Sequence, residues 1–391
     1  MLNNTRIKTG APMKQPPKYV LDILCALGRA GHSAALAGGC VRDSLLGRRP
    51  NDWDVASSAR PEEVLALFPR CVPTGLRHGT VTVLSRGGAV EVTSFRAEGA
   101  YSDHRRPDSV AFGCSLEEDL ARRDLTVNAM AMDAAGNVTD PFGGRADLER
   151  RLLRCVGAPE RRFSEDALRM LRTVRFSAQL GFGVEAETLR AVRELAPLAA
   201  SLSAERVRDE LIKTLRSPRP ELAWQLVDLG LLRAFLLPGD WNAPRPALRS
   251  LPLYARLARF CLGLEQGGYI MSTAFLLAAL RFDGDTQRTA AAAVEVLKSG
   301  SRDWKRLLRD YGPAAVLAAQ PKSRELRAVL RSGECWSLAE LAVGGRELEE
   351  LGYSGPELGR ELRRLLDHVI DSPGDNRPDI LCKLAERKVQ N

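Results

Sequence analysis

The stretch GGCVRDSLLGRRPNDWDV, residues 38–55, joins a glycine turn to a short helical segment and then to two aspartates one residue apart. The segment DWDVAS is extended in character, and residues i and i+2 of a strand point to the same side. Asp52 and Asp54 are therefore predicted to project together. Neighbouring carboxylates repel each other unless a cation lies between them, and Mg²⁺ takes oxygen ligands that it shares with substrate phosphates. Taken alone, such a pair is more often a solvated loop feature.

The residues around the aspartate pair favour the functional interpretation. Gly38 and Gly39 let the backbone approach a phosphate closely, and the helical segment after them offers free N–H groups at its start. Arg42 is suited to phosphate oxygens. Glu91, in the segment VEVTSF, faces away from its valine neighbours and becomes a third carboxylate if the two strands lie side by side. Together these residues predict a site for a nucleoside triphosphate with metal, whereas the sequence contains no Rossmann or Walker motif.

Alternation with period two predicts the strands of the N-terminal part. TVTVLS and VEVTSF flank RGGA in a β-hairpin pattern, and NAMAMD with VTDPFGG indicates a second strand pair around Gly136 and Asn137. YVLDILCALGRAG and PEEVLALF, the latter opened by Pro61, have helical spacing. Beyond about residue 155 the strand pattern ends, and helical segments such as SEDALRMLRTVRFSAQLGF continue to the C-terminus.

The chain of 391 residues is long enough for several domains at the usual length of about 100–200 residues per domain. The predicted fold is an α/β head, with a mixed sheet and helices, followed by an all-helical remainder. Its expected parts are a flexible N-terminal arm (1–18), a catalytic head (19–155), a helical neck (156–220), a helical body (221–300) and a helical tail (301–391).

Composition points to a nucleic-acid partner. The formal net charge is +8, which favours a polyanion, although a merely basic surface has the same composition. Eight cysteines without a C-x-x-C spacing and only four histidines argue against a zinc site and a disulfide framework. The first residues lack an apolar core of signal-peptide length, and the chain lacks an apolar run of membrane-spanning length. We therefore expect a cytoplasmic protein with reduced cysteines and no membrane partner.

Several long segments resemble, in order, the motifs of the class II tRNA nucleotidyltransferases, the CCA-adding enzymes of the polymerase β superfamily. LAGGCVRDSLLGRRPNDWDVASSA is similar to their first motif. The further matching segments are EVTSFRAEGAYSDHRRPDSVAF, SLEEDLARRDLTVNAMAMD, DPFGGRADLERRLLRCVG, RFSEDALRMLRTVRFSAQLGF, SAERVRDELIKTL and, after a weaker stretch from about residue 235, GRELEELGYSGPELGRELRRLLDHVIDSPGDNRPDILCKLAERK. The resemblance implies a polymerase β-like head and the addition of C, C and A to the 3′ end of tRNA from CTP and ATP.

The segment SEDALRMLRTVRF spaces an aspartate and three arginines three residues apart. If the segment is one helix, this spacing places four residues along one face: Asp166, Arg169, Arg172 and Arg175. They are then either groups that bind a ligand or i,i+3 ion pairs on a solvated surface. The resemblance implies that Asp166 and Arg169 read the incoming base and that the other two arginines contact its phosphates or sugar. It also makes Arg123 of RRDLTVNA a nucleotide-binding residue.

The chemistry of the bases agrees with that assignment. Cytosine and adenine both present an amine donor beside a ring-nitrogen acceptor, so a carboxylate accepts from the first and a guanidinium donates to the second. Uracil and guanine present a carbonyl beside an N–H, and each mismatched hydrogen bond costs roughly 1–3 kcal/mol. One Asp/Arg pair can therefore admit CTP and ATP and refuse UTP and GTP.

The implied reaction is attack of the tRNA 3′-hydroxyl on the α-phosphate, with pyrophosphate as the leaving group. Asp52 and Asp54 would hold two Mg²⁺ ions, with Glu91 as a further catalytic carboxylate, and no covalent enzyme intermediate is needed. Asp124 and Asn128 are expected to organise the site.

The segment AYSDHRRPDSV is predicted to be a flexible loop, since it is charged and contains proline. In the family this loop helps the site to change from CTP to ATP, and its matching residues here are Asp103, Arg105 and Arg106. His104 departs from the family pattern, which commonly has glycine there.

The sequence is also compatible with narrower or different functions. CC-adding, A-adding and poly(A) polymerase relatives are similar in head and neck, although the intact DHRRP sequence favours full CCA addition. A catalytically inactive RNA-binding protein is a further alternative, against which the intact aspartates argue.

The helical remainder is expected to bind tRNA by recognising the shape and the phosphates of the RNA helix. No obligate protein partner is expected. Arg360, Arg363 and Arg364 are either RNA contacts or part of a solvated charged face.

Overall fold

A computed structural model describes residues 13–76, 79–98, 110–239 and 244–389. The chain divides into two compact units, Met1–Ala234 and Phe235–Asn391. The finer division into arm, head, neck, body and tail stays a prediction.

The first unit contains all the described strands, together with ten helices of the described ranges. The strands are β1 (Ala34–Ala37), β2 (Asp54–Ser57), β3 (Cys71–Gly75), β4 (Thr80–Ser85), β5 (Gly88–Ser94), β6 (Arg96–Glu98), β7 (Val110–Phe112), β8 (Ala131–Met132), β9 (Val138–Thr139), β10 (Leu152–Leu153) and β11 (Gly183–Val184). The helices are α1 (Lys18–Arg29), α2 (Gly39–Leu45), α3 (Pro61–Leu67), α4 (Leu116–Ala121), α5 (Gly144–Arg150), α6 (Pro159–Glu165), α7 (Leu168–Leu180), α8 (Ala186–Leu195), α9 (Ala204–Arg216) and α10 (Ala223–Asp228). Short 3₁₀ helices cover Thr126–Asn128, Ala196–Ser201 and Pro220–Leu222.

The main sheet has seven strands in the order β3-β4-β5-β2-β1-β8-β9. Strands β2 and β5 are parallel, with Asp54 opposite Glu91, and the other neighbouring strands pair antiparallel. Because side chains alternate along a strand, one face of β2, β4 and β5 packs valines into the core, among them Val55 and Val92. The opposite face carries Asp54 and Glu91, so the sheet itself separates the core from the polar site.

Two sequence expectations for the strands are confirmed, and one is wrong. The predicted hairpin is β4–β5, and the predicted pair around Gly136 is β8–β9. Strands do not stop at residue 155, however, because β11 (Gly183–Val184) pairs in parallel with β10. Strands β10 and β11 have the sequences LL and GV, which do not alternate between apolar and polar residues, so no period-two pattern marks them in the sequence.

The segment SEDALRMLRTVRFSAQLGF is also not one helix. Helix α6 ends at Glu165, α7 begins at Leu168, and Asp166 between them is extended, with φ −141° and ψ 104°. The Asp166 carboxylate accepts a hydrogen bond from the backbone N–H of Leu168 at 3.1 Å. An aspartate that bonds to the backbone two residues ahead competes with continued helix, so it ends one helix and starts the next.

The described part of the second unit consists of helices and loops. Its helices are α11 (Leu253–Gln266), α12 (Thr273–Ala279), α13 (Gly284–Ser299), α14 (Trp304–Ala319), α15 (Arg324–Ser332), α16 (Gly345–Glu350), α17 (Gly355–Asp371) and α18 (Pro378–Val389), with 3₁₀ helices at Arg233–Phe235 on the boundary, Leu338–Glu340 and Pro373–Asp375. Helix α14 is kinked at Gly312, whose φ of 75° is not helical. Across the described ranges, no helix combines the length and the apolar character needed to cross a bilayer.

Candidate active site

A cavity of about 860 Å³ in the first unit gathers the predicted site residues. It is lined by residues of the polar sheet face, of the segments after β1 and α4, and of helices α7 and α9. The predicted residues that line it are Gly38, Gly39, Arg42, Asp52, Asp54, Glu91, Arg123, Asp166, Arg169, Arg172 and Arg175. Asp103, Arg105 and Arg106 of the predicted loop lie outside the described residues.

The carboxylates lie at the start of β2 and on its parallel neighbour. Asp54 is the first residue of β2, and Asp52 precedes the strand. Both aspartates are exposed and line the cavity, whereas the intervening Trp53 is buried at 7% exposure, which agrees with the predicted projection of the two aspartates to one side. Glu91 lies directly opposite Asp54 on the neighbouring strand β5. The two strands are therefore side by side, which is the arrangement that makes Glu91 a third carboxylate of the site.

Asp54 has a perturbed pKa, raised to about 6. Desolvation in the cavity is the main cause, followed by the negative charge of Glu91, while Arg123 acts in the opposite direction and Asp52 adds a smaller repulsion. A carboxylate whose ionised form is disfavoured in this way gains from a bound cation.

The donor set fits a hard divalent cation. Asp52 and Asp54 offer only carboxylate oxygens, which are the ligands that Mg²⁺ prefers. Within the described ranges, no group of three or more His, Cys, Asp or Glu side chains is arranged to hold a metal. The protein would therefore supply two carboxylates, and substrate phosphates and water would complete the coordination, as is usual for Mg²⁺ in nucleotide sites.

Asp54→Asn is expected to raise the thermal stability of the metal-free protein at neutral pH. Because the folded-state pKa of Asp54, about 6, exceeds its ordinary 3.8, the folded state binds more protons than the unfolded state between these values. The stability contribution of Asp54 therefore falls as pH rises through that interval and is lowest above pH 6. Thermal unfolding followed by circular dichroism should show a higher Tm for the variant at neutral pH and nearly equal values at about pH 4. Equal Tm values at neutral pH would contradict the raised pKa, and Asp22→Asn, on the exposed side of α1, is the control.

Gly38 forms the turn between β1 and α2. Its φ is +84°, a region that side chains with a Cβ rarely adopt, and a Cβ there would lie 2.6 Å from Nη1 of Arg123. The Gly38 N–H donates to the carbonyl of Met130 at 3.1 Å. The glycine is thus required both by the backbone conformation and by the close approach of Arg123.

Gly38→Ala is expected to cost about 1–3 kcal/mol of unfolding free energy and to reduce nucleotide transfer, since it displaces Arg123. Gly31 is a matched control, because its φ is +85° and nothing lies within 4 Å of a Cβ added there. Gly31→Ala should lower the free energy of unfolding because of its backbone conformation, but it should not reduce nucleotide transfer. Urea unfolding and a transfer assay on both variants separate the two effects, and equal transfer by both would exclude the role of the Arg123 contact.

A chain of hydrogen bonds links the glycine-turn helix to α7. Arg42 donates from Nη1 to Oδ1 of Asn128 at 2.6 Å, and Asn128 donates from Nδ2 to Asp124 at 3.1 Å. Asp124 accepts from Nε of Arg172 at 2.6 Å. Burial alone would raise the pKa of Asp124, but the Arg172 ion pair and the hydrogen bonds outweigh it and lower the pKa. The expected organising positions of Asp124 and Asn128 are therefore both within the site.

Arg175 lies in the cavity wall but is held by buried groups. Its Nε donates to Glu210 of α9 at 2.5 Å, and its Nη1 donates to Gln179 at 2.9 Å. Its guanidinium also covers the ring of Phe176, with Cζ 3.8 Å from the ring centroid. Both Arg175 and Glu210 are less than one-tenth exposed, so this pair fixes α7 against α9.

The two base-reading candidates each have protein partners. Asp166 accepts from Nη2 of Arg206 at 2.8 Å. Arg169 donates to the Glu165 carboxylate at 2.7 Å and to the backbone carbonyl of Arg122 at 3.1 Å. These contacts orient the carboxylate and the guanidinium toward one cavity, although Asp166 is not on the helix that carries Arg169.

Several cavity residues were not among the predicted site residues. They include Thr80, Thr93, Arg96, Arg122, Phe176, Arg206 and Lys213. Arg206, Glu210 and Lys213 recur at i, i+4 and i+7 in the segment SAERVRDELIKTL, which places them on one face of α9. That spacing could have indicated the residues of α9 from the sequence. Thr80 and Thr93 could not be recognised in this way, because threonine is common in strands.

A mixed sheet that presents carboxylates beside a glycine turn, in a cavity lined with arginines, defines a nucleotidyltransferase. The Poly A polymerase head domain family matches residues 34–154, and the family described as probable RNA and SrmB-binding site of polymerase A matches residues 181–241. The chain is 47% identical over 375 residues to the CCA-adding enzyme of Geobacillus thermodenitrificans, with 91% of this chain and 92% of that protein covered. It is 49% identical over 397 residues to the CCA-adding enzyme of Geobacillus stearothermophilus, with 96% and 98% covered.

The fold agrees with these relatives. The crystal structure of the Bacillus stearothermophilus CCA-adding enzyme in complex with CTP matches with a TM-score of 0.80 and 33% identity, over 97% of this chain and 98% of that one. The Thermotoga maritima CCA-adding enzyme complexed with tRNA_CCA has the same fold, with a TM-score of 0.63, 18% identity and 96% of both chains covered. The chain belongs to the family of CCA-adding enzymes.

Proposed function

We propose that this protein adds C, C and A to the 3′ end of tRNA, using CTP and ATP and releasing pyrophosphate. The observation that carries the proposal is that one cavity contains both a carboxylate pair, Asp52 and Asp54, and the base-reading pair, Asp166 and Arg169. The similar proteins reported above are CCA-adding enzymes, and the matching solved structures include CCA-adding enzymes in complex with CTP, ATP and tRNA_CCA.

Asp166 and Arg169 select the base. The Asp166 oxygens accept hydrogen bonds from the Leu168 N–H and from Arg206, and a carboxylate keeps further lone pairs for the exocyclic amine of cytosine or adenine. Arg169 donates to the ring nitrogen beside that amine. Because the partners of both side chains belong to the protein, the pair is oriented before the nucleotide arrives, which lowers the entropic cost of recognition.

Arginines and the glycine turn bind the triphosphate. Gly38 and Gly39 permit close approach of the phosphates, and Arg42, Arg123 and Arg172 provide positive charge. Arg42 has N–H groups to spare, since a guanidinium has more donors than its contacts with Asn128 and Asp43 use. The remaining candidate, Arg175, contributes charge from the cavity wall while Glu210 holds its orientation.

Asp52 and Asp54 would hold the divalent metal, which we propose to be two Mg²⁺ ions, with Glu91 as the adjoining catalytic carboxylate. When bound, such ions lower the pKa of the attacking hydroxyl and neutralise charge on the triphosphate. The tRNA O3′ forms a bond to the α-phosphorus, and the bond from that phosphorus to the pyrophosphate oxygen breaks. The residues of the chain position the two substrates and exclude the wrong bases, so catalysis rests on orientation and electrostatics.

All eight cysteines are free thiols, which supports a reducing compartment, and we propose the cytoplasm. We also propose that the helical second unit contributes to the binding of tRNA. Of the candidate RNA contacts there, Arg364 is engaged by Glu361 and by the carbonyl of Leu384, so it is the least available of the three arginines named from the sequence.

A primer-extension assay tests the function. Three tRNA transcripts, ending before CCA, after C and after CC, are incubated with Mg²⁺ and with CTP, ATP, both or neither. Addition that completes CCA and then stops supports the proposal. A stop after CC indicates a CC-adding enzyme, extension of the CC-ended transcript alone indicates an A-adding enzyme, and long adenylate tails indicate a poly(A) polymerase. Absence of transfer under all conditions would favour an inactive RNA-binding protein.

A further inference from the structure

The polar face of the main sheet extends beyond the carboxylates to a pair of threonines. Thr93 follows Glu91 by two residues on β5, so it shares the face of the sheet on which Glu91 lies, about 7 Å further along the strand. Thr80 of β4 is directly opposite Thr93, and their Oγ1 atoms are 3.1 Å apart. Both side chains are partly buried and line the cavity that contains Asp52 and Asp54.

The sheet order places these threonines on the side of the carboxylates away from the glycine turn. Strand β1, which leads into Gly38, lies next to β2 on one side, whereas β5 and then β4 follow β2 on the other. Arg123 approaches Gly38 closely and thus belongs to the β1 side. The cavity therefore has a guanidinium-rich part and a hydroxyl-bearing part, with Asp54 between them.

The chemistry of transfer assigns a substrate to each part. In phosphoryl transfer the attacking and leaving oxygens lie roughly in line, on opposite sides of the phosphorus. Under the proposed function the leaving pyrophosphate is bound by the glycine turn and its arginines. The attacking O3′ must then enter from the opposite side, which is the side of β4 and β5.

The threonine pair has the chemistry to hold a terminal nucleotide there. Each hydroxyl has one proton and two lone pairs, and the bond between Thr80 and Thr93 uses only one of the two protons. The pair can therefore still donate to a phosphate or ribose oxygen and accept from a ribose hydroxyl. Arg96, the first residue of β6, lines the same cavity and adds a cation for the RNA backbone. We propose that Thr80 and Thr93 bind the 3′-terminal nucleotide of the acceptor RNA, an inference that rests on the proposed function.

A second threonine pair on the same sheet provides a matched control. Thr74 of β3 and Thr82 of β4 have Oγ1 atoms 2.9 Å apart, but neither residue lines the cavity. Valine has the shape and the β-branching of threonine without the hydroxyl, so it preserves strand packing. The test compares Thr80→Val/Thr93→Val with Thr74→Val/Thr82→Val, after thermal unfolding has shown that both variants fold.

Two measurements on each variant, kcat/KM for tRNA and the affinity for CTP, decide the outcome. The Thr80/Thr93 variant should lose about tenfold in kcat/KM for tRNA, the effect of one or two hydrogen bonds, while its affinity for CTP stays within about twofold of the unmodified protein. The Thr74/Thr82 variant should lose neither. Equal tRNA kinetics in both variants, or a selective loss of CTP affinity in the first, would overturn the inference.

A crosslinking experiment separates this inference from the proposed function. A tRNA that carries a photoreactive group on its 3′-terminal nucleotide should crosslink to the β4–β5 segment, and this readout does not require transfer. Crosslinks confined to the β1 side of the cavity would overturn the threonine site, even if the protein adds CCA. Absence of transfer by the unmodified protein would overturn the proposed function, and the crosslink still decides whether the RNA end lies on the threonines.

Discussion

Replacement of Asp52 or Asp54 by alanine is expected to reduce nucleotide transfer to tRNA by at least about 1,000-fold. A bound metal ion stabilises the charge of the transition state by several kcal/mol, and about 1.4 kcal/mol corresponds to a factor of ten in rate. Under the proposed function the pair holds the divalent metal, and each variant leaves a single carboxylate to do so. The effect should appear in the single-turnover rate of the first C addition with saturating CTP and Mg²⁺.

Two controls show that such a loss is chemical. Asp22→Ala removes an exposed carboxylate on α1 that does not line the cavity, and it should leave the rate unchanged. CTP binding measured without metal should survive in both active-site variants, because the arginines and the base-reading pair are intact. A variant that keeps more than about a tenth of the rate would show that its carboxylate does not hold metal in the reaction.

Replacement of Asp166 by alanine is expected to weaken selection for CTP over UTP by about 30-fold. Under the proposed function the carboxylate accepts a hydrogen bond from the amine of cytosine and would face the carbonyl of uracil, and such a mismatch is worth roughly 2 kcal/mol. Arg169 remains in the variant and keeps part of the selectivity. The ratio of kcat/KM for CTP and UTP, measured on the transcript that ends before CCA, gives the effect directly.

The control for this prediction lies on α9. Asp209 is more than half exposed and pairs with Arg208, and it does not line the cavity. Asp209→Ala should leave the CTP/UTP ratio unchanged. Should Asp166→Ala lower both kcat/KM values by the same factor, Asp166 would support the fold of the cavity and not read the base.

Local patterns in the sequence were enough to predict the fold of the head and much of its site. Alternation placed Asp52, Asp54 and Glu91 on the side away from the valine core, since the period of a strand is set by its own backbone. The hairpin of β4 and β5 followed from the same period, and the helical remainder from spacing and helix ends. The resemblance to CCA-adding enzymes then indicated Asp166 and Arg169 as candidate base-reading residues, and the predicted nucleotide and metal site residues among those described line one cavity.

Contacts between distant segments were decided only by the tertiary structure. Arg206 meets Asp166 across 40 residues, Arg172 meets Asp124 across 48, and Arg42 meets Asn128 across 86. Periodicity reports which face of an element is apolar, but it does not report which two polar faces will meet. Two further features depend on how elements pack. Glu210 of α9 holds Arg175 of α7, and the sheet places Thr80 and Thr93 in the same cavity as the carboxylates. Such packing is a property of the whole chain, because its free energy comes from surfaces that come together only when distant segments fold against one another.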